Sequence, residues 1–224
     1  MTGSAQVPAE APPDCPLCPR LVAFRAANRQ AQPSWHNGAV ASFGKDSARL
    51  LIVGLAPGLR GANRTGRPFT GDYAGILLFE TLHAFGWSNQ PHGASVGDGL
   101  ALRDCRISNA VKCLPPQNKP LPVEIANCSS YLAADLATLR SGGVMLALGR
   151  IAHDAALRAL GLRVRDYPFG HNARHDLRDD SRDLVLFDSY HCSRYNTNTG
   201  RLTRDMFRSV FASIDAHFKR GASA

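Results

Sequence analysis

The sequence has no run of about 18 apolar residues, so no membrane-spanning helix is expected. It lacks a basic start followed by an apolar stretch. Met1 to Asp14, rich in Pro, Ala and Gly, reads as a flexible tail rather than an export signal, and a cytoplasmic protein is expected. No internal repeat is visible, which argues against a repeat array. Acidic residues are scarce: 18 Asp and Glu stand against 26 Lys and Arg, giving a net charge of +8. Such a balance suits an anionic partner, nucleic acid being the commonest, with generic solubility charge as the alternative.

What is present is enough for one sizeable core: 224 residues, 44% of them hydrophobic. A single domain over residues 15–224 is expected, working as a monomer. Arg49 to Gly54 is a compact branched run ending in Gly, a buried strand. Further strands are expected at Arg106 to Val111, Gly143 to Leu148 and Asp183 to Tyr190. Helices are expected from Asp72 to Trp87, from Pro122 to about Leu139, from Ile151 to Leu160, and from near Thr203 onward. Tyr167 to Arg182, rich in His, Arg and Asp, reads as a long surface loop near the partner. Strands alternating with helices imply βαβ units and a mainly parallel α/β sheet, with functional loops at the carboxyl ends of the strands.

Two unusual segments follow strands. Gly54-Leu-Ala-Pro-Gly58 runs on through Gly61 to Asp72, and its glycines let the backbone approach a ligand closely, with Arg64 or Arg67 available for phosphate. An ordinary turn-rich loop is the alternative. His191 directly follows the last apolar strand, at a rim position, and Ser193, Arg194, Asn196, Thr197 and Arg201 add donors suited to phosphates. A polar loop capping the final helix would look the same.

Of six cysteines, Cys15 and Cys18 form a Cys-x-x-Cys, while Cys113 and Cys128 lie far along the chain. Without an export signal, a metal or cluster is a better reading than disulfides. Four thiolates can hold zinc or a [4Fe–4S] cluster, and the loose second pair argues mildly against a zinc ribbon. Cys105 and Cys192 are left over, Cys105 as a buried free thiol by default.

Together, Gly54-Leu-Ala-Pro-Gly58, Thr65-Gly-Arg-Pro-Phe-Thr-Gly-Asp72 and the His191 to Thr203 segment resemble the uracil-DNA glycosylase superfamily, closest to its b-type, family-five branch. The cysteine spacing also resembles the cluster of the thermophilic-type glycosylases. The resemblance implies a three-layer α/β/α fold around a four-stranded parallel sheet. It implies a monofunctional enzyme that excises uracil and other deaminated bases from double-stranded DNA, with a [4Fe–4S] cluster on Cys15, Cys18, Cys113 and Cys128. It further implies that Gly54, Leu55, Ala56 and Pro57 contact the base through their backbone. Phe69 then stacks on the flipped base, and His191 faces its O2. Asp72 is the carboxylate supporting the reaction, and the loop after His191 enters the DNA helix.

Three departures stand out. Many members of the superfamily carry an acidic or amide water activator where this chain has Leu55 and Ala56, so any acid–base role moves to Asp72 or to none. Cys192 stands where relatives often have proline. Asn109 and Asn118 both match pocket residues and compete to read the base edge. Two alternatives stay open: an a-type enzyme strict for uracil, and a non-catalytic DNA-binding protein carrying zinc or a cluster.

Overall fold

Successive strand residues point to opposite faces, and here both faces are apolar, so both must be covered. The computed structural model describes residues 10–179 and 182–221. The strands are β1 (Phe43–Gly44), β2 (Leu50–Gly54), β3 (Cys105–Asn109), β4 (Val144–Leu148), β5 (Arg174–Asp179) and β6 (Arg182–Ser189). The helices are α1 (Pro19–Ala31), α2 (Ala62–Thr65), α3 (Tyr73–Ala84), α4 (Pro122–Ala137), α5 (Arg150–Ala159), α6 (Arg194–Asn198) and α7 (Arg204–Gly221). Leu50, Ile52, Leu146 and Phe187 pack with α3 and α7 on one face. Leu51, Val53, Met145 and Leu186 pack with α4 and α5 on the other. The result is three layers, α/β/α.

The sheet order is β1-β3-β2-β4-β6-β5. The inner four strands are parallel, with Ile52 opposite both Ile107 and Leu146, and Leu146 opposite Phe187. These are the four strands expected. The sheet nevertheless has six strands and is mixed, because β1 and β5 add antiparallel edges. A two-residue strand such as β1 is too short to show periodicity. The strand β5 is a correction to the expected Tyr167–Arg182 loop. Among its residues whose burial is described, Leu177 is buried while Arg174, Asp176 and Arg178 face solvent, as an edge strand protected by charge should. Its His175 turns to the buried Asp188 of β6, at 3.3 Å, rather than outward.

Of the expected tail, residues 1–9 lie outside the described residues. Residues 10–14 are docked: Ala11 is buried, and the Glu10 carboxylate accepts from the Ser42 amide and from Arg106 at 2.6 Å. A third small core joins this segment and α1 to α4 through Leu21, Val111, Tyr131 and four cysteines. Parallel pairing brings the carboxyl ends of β2, β3 and β6 to one rim, so Gly54, Asn109 and the loop after Ser189 meet there.

Candidate active site

A cleft of about 1060 Å³ opens on this rim, lined among others by Leu55, Ala56, Phe69, Asp72, Asn109, Asn118 and His191. Gly54 ends β2 behind the lining, against Asn109 and Phe69. A methyl added there would sit 2.5 Å from Asn109 Oδ1 and 2.8 Å from two atoms of the Phe69 ring. Only glycine lets the amide and the ring close over the strand end. The Phe69 and His191 rings lie 6.0 Å apart at 28° to one another. The loops after the first and last parallel strands therefore converge on one wall.

Phe69 has φ +54, a backbone region strained for a bulky side chain. Its carbonyl oxygen lies over Gly75, where a Cβ would meet it at 1.8 Å. Asn109 is 3% exposed, and its side chain forms no hydrogen bond among the described residues although it faces the cleft. Its amide atoms are open to the cleft rather than sealed in, so what fills the cleft can supply the partner the protein does not. Asn118 also lines the cleft but is solvent-exposed, on a short turn at Pro116–Asn118 with φ +56.

Asp72 is the N-cap of α3, its Oδ1 accepting from the Gly75 amide at 3.1 Å. That bond alone is an ordinary structural role. Its Oδ2 instead packs against Gly61, where a side chain would collide with it, and close to Gly58, at the lining of the cleft. Burial raises the carboxyl's pKa above its usual value, against the two backbone donors that lower it. Burial likewise pushes His191 down to about 4, so its imidazole is neutral near neutral pH. The His191 carbonyl accepts from Asn196 Nδ2 at 2.8 Å, and the preceding Tyr190 amide bonds His171 Nδ1 at 3.2 Å.

The expected phosphate contacts divide. Arg64, Arg194 and Arg201 are exposed; Arg194 lies over the Tyr73 ring at the cleft edge and Arg201 over Tyr190. Ser193 caps α6 by accepting from the Asn196 amide. Two expectations are corrected. Arg67 is 6% exposed and locked bidentately to Asp98, so it cannot reach a phosphate. The Asn196 amide nitrogen is turned inward to His191, which makes it a support for the loop rather than a free donor. Sequence reading missed Arg60, exposed on the cleft and without a partner among the described residues, and the Pro91–Gly93 rim. Arg60 lies inside the glycine loop and was legible there; the rim follows no recognisable motif.

All six cysteines are buried and none is in a disulfide. Cys15, Cys18, Cys113 and Cys128 share one small core. Each has a polar group at its sulfur. Tyr131 Oη lies 3.8 Å from Cys15, Asn127 Nδ2 donates to Cys18 at 3.6 Å, Arg25 to Cys113 at 3.8 Å, and the Lys112 amide to Cys128 at 3.3 Å. N–H donors aimed at sulfur suit thiolates rather than neutral thiols. Burial pushes the free thiols of Cys113 and Cys128 up to about 12 and about 11, so a bound cation is what would keep them ionised. The remaining two differ: Cys192 points its sulfur at the Ala74 carbonyl, and Cys105 is wholly buried in the sheet core.

Comparison with known proteins gives a consistent result. The family profile described as "Uracil DNA glycosylase superfamily" matches residues 41–215. A "Type-5 uracil-DNA glycosylase" of Thermus thermophilus is 46% identical over 202 residues, covering 88% of this chain and 90% of that protein. One of Pyrobaculum aerophilum is 39% identical over 209 residues, covering 91% and 89%. A "Type-4 uracil-DNA glycosylase" of Archaeoglobus fulgidus is 39% identical over 114 residues, covering 50% of this chain and 49% of that protein.

Proposed function

The chain belongs to the uracil-DNA glycosylase superfamily, and from that premise we propose that it hydrolyses the N-glycosidic bond of uracil and other deaminated bases in duplex DNA. The observation that carries this reading is the convergence of Phe69, His191 and the unpaired Asn109 on one cleft. It acts as a single-domain cytoplasmic monomer; among the described residues no helix is long and apolar enough to cross a membrane.

Extruding the target base costs a few kcal/mol, least at a mismatch such as U·G. Stacking on Phe69 recovers about 1–3 kcal/mol. Asn109, buried and without an internal partner, presents its amide to the base edge, while the exposed Asn118 borders the opening. As the bond from C1′ to the base nitrogen breaks, positive charge grows on the sugar and negative charge on the base. A neutral His191 donates its N–H toward the base's O2, joined by backbone amides of Leu55, Ala56 and Gly58, Pro57 having none to give. Such donors act more strongly on the transition state than on the ground state. The Asp72 carboxylate faces the sugar side, where it stabilises the cation and orients the water whose oxygen adds to C1′. The water's proton ends on the departing base. Among the described residues no lysine lines the cleft, and Lys112 is buried on Asp135, which supports a monofunctional hydrolysis without an amine adduct.

Cys15, Cys18, Cys113 and Cys128 hold a [4Fe–4S] cluster in this reading. When bound it supplies a cross-link between distant segments and no step of the hydrolysis. Arg60, Arg64, Arg194 and Arg201 grip phosphates, and the exposed Tyr195 on α6 is the apolar tip of the loop that enters the helix. The test is excision from labelled duplexes holding U·G, followed by alkaline cleavage of the abasic site. Wild type should cut, and His191→Ala should lose about 10²–10³ in single-turnover rate. Cutting of a hypoxanthine duplex separates the broad enzyme from a uracil-strict one. Absence of any excision would leave a DNA-binding protein.

A further inference from the structure

The function above asks Phe69 to hold a strained backbone and a fixed ring, and the cleft wall itself shows what holds them. Thr65 Oγ1 donates toward the carbonyls of Gly61 and Thr70, at 3.2 Å each. Arg67 Nε donates to Thr70 Oγ1 at 2.8 Å, so residues on both sides of Phe69 are tied to one guanidinium. That guanidinium lies over the Phe43 ring at 5.0 Å and binds both oxygens of Asp98, at 2.9 and 2.7 Å. Asp98 also accepts from the amides of Ala94, Ser95 and Leu100, at 2.7, 3.2 and 3.0 Å. One carboxylate therefore gathers the whole 94–100 loop around the arginine. Gly93 completes the fit: a Cβ there would meet Arg67 at 2.7 Å.

We propose that Arg67 and Asp98 are positioning residues for base stacking: through Thr70 they hold the Phe69 ring against Gly54, and they fix the 91–93 rim of the same cleft. This rests on the glycosylase reading. The pair touches no substrate atom and acts through Phe69. Two features separate it from an ordinary surface ion pair. It is nearly closed to solvent, with side chains 6% and 14% exposed, and it is bidentate, the geometry that fixes direction as well as distance. A lysine at position 67 would keep the charge and lose the fork that also reaches Thr70.

The experiment is a double-mutant cycle with single-turnover excision from a U·G duplex, using Asp98→Asn, Phe69→Ala and the double variant. Asp98→Asn keeps the shape and removes the charge. It should slow excision at least tenfold in the wild-type background and by less than twofold in the Phe69→Ala background, because its effect passes through that ring. Affinity for a duplex carrying a base-less tetrahydrofuran site should change less than twofold, since nothing there stacks. If Asp98→Asn unfolds, Arg67→Gln runs the same cycle. Equal slowing with and without the Phe69 ring, or no slowing at all, overturns the proposal. A wild-type protein that excises nothing overturns instead the function on which it rests.

Discussion

At the scale of single residues, the site depends on atoms that are missing. Gly54→Ala would drive a methyl to 2.5 Å from Asn109 Oδ1 and into the Phe69 ring. We expect it to abolish detectable uracil excision while the protein still folds, because the ring can swing into the cleft. Excision beside a thermal melt checks this. The acid–base groups give a second prediction. His191, held down to about 4, binds its proton in the unfolded chain near 6.5 but not in the folded one, so stability falls as pH drops through that window. His191→Gln should flatten that slope in melts run between those pH values. Asp72 has the opposite sign: its raised carboxyl pKa means acidification relieves a folding cost. For catalysis the ionised form then appears later, and the acid limb of kcat/KM should sit above the usual carboxylate range and vanish in Asp72→Asn. Phe69, Asp72, Asn109 and His191 were legible because each lies in a motif at a strand end. The fate of Arg67 was not, because its partner Asp98 lies in a loop without pattern and only coordinates reveal the pairing.

At the scale of elements, the four inner strands and the long helices were legible from their periodicity, since each buries a continuous apolar face. The helix α1 was not, because its apolar residues form no continuous face and only Leu21 and Arg25 of it are buried. It is held by Cys18 at its start, Arg25 on Cys113 and the Cys15 carbonyl, and Arg20 on Glu124 of α4. An apolar face that small does not dock a helix by itself, and the four cysteines proposed to hold the cluster share its small core. Stripping the proposed cluster with a chelator under oxidising conditions, or Cys113→Ser, should release α1 and residues 10–18 first. Hydrogen exchange should rise there while β2, β3 and β4 stay protected. Uniform exchange across the chain would show that the centre is not a local fastening.

At the scale of the whole molecule, the net charge of +8 acquires a direction from the cleft. Many basic side chains are already neutralised internally: Arg20 by Glu124, Arg67 by Asp98, Arg106 and Lys112 by Asp135. Arg60 and Arg194 instead line the opening, and the exposed Arg64 lies beside Gly71 of its wall, none with an acidic partner among the described residues. Charge at the rim of a concave site draws in a polyanion, and each phosphate neutralised releases counterions, so affinity should fall steeply with salt. We expect Arg60→Ala and Arg194→Ala each to lower the slope of log affinity against log salt by about 1. Arg20→Ala, of equal charge but spent on Glu124, should leave the slope unchanged. Binding of a duplex with a tetrahydrofuran site across a salt series measures all three. Equal loss of slope in every variant would mean that DNA senses only the total charge, and that the cleft rim is not where the phosphates lie.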